Sequence, residues 1–303
     1  MILHIPTADL ARTTTAAVTV EAEYGSFVME GSVYTAAHHQ GSGPFAGRHL
    51  PGLLLTGMPS PCNDGNIPVL TENEVVAVSH IDLDSVGGCL RTIAKFAPLF
   101  AQDFKGFWNV AEFVDVTGPH RMEPDHVWAP SLRAVWAWFQ TNRPRFSREQ
   151  IEDCSEFIWA AGVMLQRVLI EQDADLLAAG QAMADAEATL NKDSLLRVVE
   201  AGDRLVVVRE AGGFTNHLYR LLDGRIAAAV VARNTKMGSV TVSLADPIEG
   251  VVCRDIVQGL WGMEAGGHAG IAGSPRGQEM TSDDLDACVD AVIAELNGVP
   301  NPV

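Results

Sequence analysis

The segment Ser79-His80-Ile81-Asp82-Leu83-Asp84-Ser85-Val86-Gly87-Gly88 sets one imidazole and two carboxylates at alternate positions. In an extended stretch alternate side chains share a face, so His80, Asp82 and Asp84 are expected to point one way while Ile81 and Leu83 turn to the core. Two carboxylates held that close repel each other unless a cation neutralises them, and a mixed N/O donor set suits divalent Mn²⁺, Mg²⁺ or Fe²⁺. The plainer reading makes Asp84 or Ser85 the cap of a following helix and leaves His80 at the surface. A further carboxylate, Asp115, stands in Phe113-Val114-Asp115-Val116-Thr117-Gly118-Pro119-His120, where it either bridges the same ions or forms a turn. His120 is a ligand candidate just beyond it. His38-His39 closes another short apolar run, and both rings can serve one site only if the chain turns, which Gln40-Gly41 permits.

A different chemistry is written near the C-terminus. The stretch Ala265-Gly266-Gly267-His268-Ala269-Gly270-Ile271-Ala272-Gly273-Ser274-Pro275-Arg276-Gly277 is dense in glycine. Missing side chains let backbone N–H groups approach an anion, while His268 and Arg276 add positive charge and directed donors. A phosphate or carboxylate cradle is the chemical reading; a set of plain turns is the structural one.

These residues need elements to hold them. Residues 16–23 and 26–36 carry Val, Tyr, Thr and Phe around Tyr24-Gly25 and predict a β-hairpin. Residues 41–66, rich in Gly and Pro, predict a long surface loop. The apolar run at 74–79 predicts a strand buried on both faces, and 85–100 a helix after it, which is the strand–turn–helix unit of an α/β sheet. A second strand is expected at 110–116 and an aromatic-rich helix at 128–139. Ser147-Arg148-Glu149-Gln150 has the form of a capping box and predicts a helix start, with the apolar spacing from Ile151 to Leu169 as its buried face. Residues 147–200 therefore read as a helical connector. Beyond it, strands are expected at 205–209, 217–222, 225–232 and 239–244, and helices at 250–260 and 283–296. The expected architecture is an α/β protein: a parallel-sheet metal-binding domain over 1–200, joined through the connector to a smaller α+β domain over 201–303.

Composition narrows the partners. With 303 residues and 47% of them apolar, the chain can bury substantial cores. Lys plus Arg number 21 against 38 Asp plus Glu, a net charge of −17, so long nucleic acids are repelled unless metal ions or a local basic patch intervene. Residues 1–20 lack a basic leader with an apolar core, and the later apolar runs are broken by polar residues. A soluble cytoplasmic protein with no membrane partner is the expectation. Five scattered cysteines with no CxxC pair point to reduced, buried thiols. The oligomeric state is left open, a homodimer included.

Two of the motifs resemble one family. His80-Ile81-Asp82-Leu83-Asp84-Ser85 is similar to the first metal motif of the DHH phosphoesterase superfamily in its His-x-Asp-x-Asp branch. Gly266-Gly267-His268-Ala269-Gly270-Ile271-Ala272-Gly273 resembles the Gly-Gly-His signature of that family's C-terminal substrate-binding domain. The resemblance implies two divalent ions, typically Mn²⁺, with His80, Asp82 and Asp84 as ligands and Asp115 bridging. A metal-activated water would attack a phosphorus whose oxygens are held by Gly266, Gly267, His268 and Arg276. The Asp-His-His triplet that names the family is missing after Asp84, so either His38 and His39, or Asp115 and His120, take its place, or the second metal is lost, with Asp82, Asp84, Asp115 and His39 expected to carry the reaction. The function implied is a phosphohydrolase for a small phosphorylated compound: a nucleotide, dinucleotide or very short oligonucleotide. A catalytically degenerate binding or regulatory protein of the same fold, and a metal hydrolase of another bond, are the alternatives.

This reading predicts that His268→Ala weakens binding of a phosphorylated ligand while leaving the metal content of the purified protein nearly unchanged. Elemental analysis beside a ligand titration checks both halves.

Overall fold

A computed structural model of the chain describes residues 1–25, 27–37 and 61–299. The chain forms two compact units, Met1–Val116 with Met122–Met183, and Thr117–Arg121 with Ala184–Val303. It is a mixed α/β protein, and both units contain parallel strand pairs. Among the described residues no helix is long and apolar enough to cross a membrane. All five cysteines are free and buried.

In the first unit, short β-branched triplets that are buried on both faces form the sheet, as expected for strands covered by helices. The chain runs through β1 (Ile2–His4), α1 (Ala8–Thr13), β2 (Val18–Val20), β3 (Glu23–Tyr24), β4 (Phe27–Val28), β5 (Tyr34–Ala36) and β6 (Val76–Val78). Next come α2 (Leu83–Arg91), α3 (Lys105–Thr117), α4 (Ala129–Asn142), β7 (Glu152–Asp153), α5 (Ser155–Leu169) and α6 (Ala174–Asp193). Strand order is β5-β2-β6-β1-β7, with the first four parallel and β7 antiparallel at the edge. Val18, Val20, Val76 and Val78 meet Leu90, Trp108, Leu132, Ile158 and Leu165 in one core, where the Trp108 indole N–H is satisfied by the Leu99 carbonyl at 2.8 Å.

Two glycines fix how closely α2 lies on this sheet. A Cβ on Gly87 would stand 2.2 Å from the Cys62 Cβ and 2.9 Å from the Trp108 ring. One on Gly88 would stand 2.5 Å from Val20 and 2.9 Å from Pro61. The bare backbone therefore presses against the end of β2, and the start of α2 is carried to the C-terminal edge of the sheet.

The second unit is an antiparallel-rich sheet of order β12-β13-β11-β10-β9-β8. Its strands are β8 (Leu195–Ala201), β9 (Arg204–Ala211), β10 (Ala229–Asn234), β11 (Ser239–Leu244), β12 (Gly266–Gly267) and β13 (Ile271–Gly273). Val206, Val208, Val231, Val240 and Val242 pack against α7 (Cys253–Trp261) and α8 (Ser282–Gly298). Thr281 and Asp284 close a capping box on α8, as the sequence suggests.

Several expectations are corrected. Within the span 16–36, β2 and β5 pair in parallel, and among the described residues there the hairpin is limited to the two-residue strands β3 and β4, around Gly25 at φ +63°. Residues 110–116 lie in α3, not in a strand: Phe107, Trp108, Ala111 and Val114 share its buried face, a 3.6-residue period that the shorter window conceals. The helix expected over 85–100 ends at Arg91 and resumes as a 3₁₀ turn around Pro98. Ser147 does gather the amides of Glu149 and Gln150, each at 3.1 Å, but it closes a turn and not a helix. Glu152 and Asp153 are drawn into pairing with β1, so the helix begins at Ser155. Residues 195–201 are strand β8, not connector, because they pair along β9. In place of a strand at 217–222 there is a single Arg220–Ile226 bridge. Of the expected loop, 41–60 lies outside the described residues, while Pro61–Asn63 is a 3₁₀ turn with Pro61 and Cys62 buried.

Gly87→Ala should destabilise the folded protein by about 1–3 kcal/mol, the cost of overpacking a filled core. A urea denaturation series compared with Gly213→Ala, where the added Cβ meets nothing within 4 Å, measures it.

Candidate metal centre

The parallel strands of the first unit deliver side chains to one edge, the C-terminal edge where open α/β sheets hold ligands. β1 ends at His4, β2 is followed directly by Glu21, and β6 is followed by Ser79 and His80. Asp82 is the N-cap of α2: its Oδ1 accepts the Ser85 amide at 2.9 Å, and Ser85 Oγ accepts the Asp82 amide at 3.0 Å. This capping leaves the second carboxylate oxygen of Asp82 for other work.

That oxygen, Oδ2, lies 3.1 Å from Nε2 of His80, and Glu21 Oε2 lies 3.0 Å from the same nitrogen. One ligand atom each from Glu21, His80 and Asp82 falls within 4.8 Å of the others. The Glu21 side chain is 0% exposed. Its backbone has φ +46°, in the left-handed region that costs a side-chain-bearing residue roughly 1–2 kcal/mol. The Glu21 N–H donates to the Ala36 carbonyl at 2.8 Å, and its own carbonyl accepts from Ser79 Oγ, so the strained conformation is held from both sides.

Proton accounting around Ser79 fixes the state of His80 in this arrangement. Ser79 Oγ donates its one proton to Glu21 O, accepts the Glu23 amide at 3.4 Å, and lies 2.8 Å from His80 Nδ1. With the hydroxyl proton committed, Nδ1 must be the donor to Ser79, and Nε2 is the donor to the carboxylates. Burial alone would lower the His80 pKa, but the hydrogen bonds and charges of Asp82 and Glu21 outweigh it and push the value up to about 10. Asp82 is also desolvated, which raises its pKa, yet the bonds from His80 and the Ser85 amide bring it below the usual carboxylate value. The stabilisation linked to His80 is complete below its ordinary value of about 6.5 and is lost as pH rises through about 10.

Two carboxylates and an imidazole suit a divalent ion of intermediate hardness. A histidine whose Nδ1–H is anchored by a neighbour while Nε2 faces carboxylates is oriented as metal-ligating histidines are. A cavity of about 1220 Å³ opens over this edge, and His4, His80, Asp82, Asp84 and Asp115 are among its lining residues.

The expected site residues are distributed unevenly. His80 and Asp82 come together. Asp84 does not share their face, because β6 ends at Val78 and Asp84 sits in the first turn of α2, only 3% exposed. There its Oδ1 accepts the Cys62 thiol at 3.0 Å. Glu21 takes the third place in the cluster. Asp115 is exposed on α3 and lines the same cavity. His120 belongs to the second unit, where its ring lies 4.7 Å from that of Tyr219. Its pKa is lowered by burial and then by the nearby Arg121 and Arg220. His38 and His39 lie outside the described residues. In the second unit, the His268 amide donates to the Ile271 carbonyl at 2.7 Å within the β12–β13 hairpin, and His268 and Arg276 are exposed. Gly267 has φ +152°, and a Cβ on it would sit 2.4 Å from the Ile271 carbonyl, so this glycine serves the close strand approach.

Glu21 and His4 escaped the sequence reading. Each follows or ends an apolar triplet, and their only sequence signal is that position, which gains meaning once the strands are known to run parallel. His4 is 8% exposed and its ring lies 5.1 Å from that of Phe146.

No known family model matches this chain, and no characterised protein matches it in sequence. Among solved structures, an exopolyphosphatase-related protein from Bacteroides fragilis matches over 75% of this chain and 59% of its own, at 9% identity and a TM-score of 0.31. An uncharacterised protein from Helicobacter pylori G27 matches over 71% and 48%, at 12% identity and a TM-score of 0.21. The chain thus spans less than two thirds of either neighbour, and likenesses this slight carry no argument about function.

In metal-free protein, the His80 ring should remain charged through neutral pH, and Glu21→Gln should move its titration midpoint downward. Histidine-selective NMR over pH 5 to about 10 reads the midpoint directly.

Proposed function

We propose that this chain is a metal-dependent phosphohydrolase for a small phosphorylated compound such as a nucleotide, dinucleotide or very short oligonucleotide. The observation that carries the reading is the convergence of Glu21, His80 and Asp82 at the C-terminal edge of a parallel sheet, with His80 and Asp82 lining a large cavity and Glu21 buried behind them. Glu21 and Asp82 would supply anionic oxygens and His80 a ring nitrogen to an ion; Mn²⁺ comes first from the sequence resemblance, while Mg²⁺ and Fe²⁺ suit similar donors. A bound divalent ion lowers the pKa of coordinated water and neutralises phosphate oxygens.

The chain's own residues have distinct tasks in this proposal. Ser79 orients His80 through Nδ1, and the capping bonds to Ser85 hold Asp82 in place. Asp84 and Asp115, which line the same cavity, are proposed as donors to a second ion, with His38 and His39 retained as proposals from the sequence. Gly266, Gly267, His268 and Arg276 are proposed as phosphate contacts, on the strength of exposed glycine backbone beside two basic side chains. A cytoplasmic setting is proposed with them.

One observation favours a second reading. Among the described residues a single group of three ligands meets the distance requirement, enough for one ion, which suits a binding or regulatory protein of the same architecture. Elemental analysis of chain purified without chelator, run beside hydrolysis of bis-p-nitrophenyl phosphate with added Mn²⁺, separates the two. Bound metal with Mn²⁺-dependent turnover supports the hydrolase. Bound metal with no turnover of that diester or of a nucleotide panel supports the binding protein, while absence of metal uptake overturns the hydrolase and leaves the binding protein standing only if a ligand binds without metal.

On the hydrolase reading, Glu21→Gln and Asp82→Asn should each abolish stoichiometric metal binding and turnover together. Ser79→Ala should weaken metal affinity by about 10–100-fold, the usual effect of losing the partner that orients a ligating histidine. Calorimetric Mn²⁺ titration provides both numbers.

A further inference from the structure

The cavity that His80 and Asp82 line also carries the opposite charge. Arg143, Arg145 and Arg148 all line it, three of the chain's 21 basic residues within six positions of a protein whose net charge is −17. The sequence Arg-Pro-Arg-Phe-Ser-Arg shapes this wall locally. Pro144 cannot continue α4 and keeps Arg143 extended, at φ −66° and ψ 118°. The Ser147 turn then bends the chain back, with the Ser147 amide held by Glu152 at 2.7 Å.

Arg143 ties the wall to the metal motif, since its Nη1 donates to the carbonyl of Ile81, the residue between His80 and Asp82, at 3.0 Å. Among the described residues, neither Arg145 nor Arg148 has a side-chain hydrogen-bond or ion-pair partner, although acidic residues outnumber basic ones in the chain by 38 to 21. The half-buried rings of Trp136, Phe139 and Phe146 line the same cavity. His4, nine-tenths buried against Phe146, also lines the cavity, and its Nδ1 has no hydrogen-bond partner.

We infer that Arg143, Arg145 and Arg148 form an anion-binding wall whose ligand is a small phosphate ester carrying a planar ring, with the ring on Trp136, Phe139 and Phe146 and the phosphates between the arginines and the acidic cluster. Guanidinium groups match phosphate oxygens in pairs, and aromatic faces add stacking that any planar ring can use. This deepens the hydrolase reading and rests on it for the orientation of the ligand, but the wall belongs wholly to the first unit and binds independently of the glycine-rich hairpin.

The test is calorimetric titration of the full chain with pyrophosphate and with ADP, metal-free and then with Mn²⁺. Wild-type protein should bind ADP more tightly than pyrophosphate, with affinity falling as salt rises. The double variant Arg145→Ala/Arg148→Ala, at two exposed positions, should lose at least tenfold for both ligands while keeping its metal content; the double Lys variant should recover part of that loss. Trp136→Leu should bring ADP down toward pyrophosphate. Wild type that ignores both ligands, or a double Ala variant that binds them as before, overturns the wall. Metal uptake and diester hydrolysis without ADP binding would sink the wall and spare the hydrolase. ADP binding lost in the double variant of a protein that takes up no metal would do the reverse.

Discussion

Removing the Glu21 carboxylate from water costs several kcal/mol unless opposite charge and hydrogen-bond donors meet it, and the neighbouring elements are arranged around that demand. Its backbone lies in a left-handed conformation at the end of a central strand, and its side chain is wholly buried. The His80 imidazole answers the charge, Asp82 shares it, and Ser79 links the imidazole to the Glu21 carbonyl. A fold seeking stability alone would place an apolar residue there. Strain and a buried charge at one position are a combination that binding sites retain because ligand binding compensates for it.

That arrangement depends on close packing elsewhere. Because Gly87 and Gly88 lack side chains, α2 approaches Val20, Cys62 and Trp108, and the N-cap of the helix lands beside the residue that follows β2. Asp82 performs two tasks with two oxygens, one capping the helix and one facing His80. Local folding and site geometry are therefore coupled: the bond that starts α2 also orients a ligand candidate. Asp84, two residues further, accepts the Cys62 thiol through Oδ1.

The distribution of charge gives the cavity a direction. A net charge of −17 repels large polyanions at distance, while the arginine run at 143–148 makes a local exception inside the first unit. The guanidinium groups of Arg143, Arg145 and Arg148 line the same cavity as His80 and Asp82.

The sequence alone determined the α/β character, the buried strand at 76–78, the helix after it, and the pairing of His80 with Asp82, because these follow from spacing within a few residues. It also gave the β-rich second half and the α8 cap for the same local reason. It misplaced Asp84, since two-residue alternation persists only while the chain stays extended, and the capping bonds of Asp82 turn it into a helix two residues too early. It misread 110–116 because a short window cannot distinguish the interior of a helix from a strand. Glu21, His4 and the arginine run were beyond its reach. Glu21 is one acidic residue among 38, and what sets it apart is parallel pairing of β2 with β6, contact between residues nearly sixty positions apart. Which side chains share an edge is decided by the order and direction of strands, and that order comes from burying apolar faces across the whole unit, a global condition that no local pattern encodes.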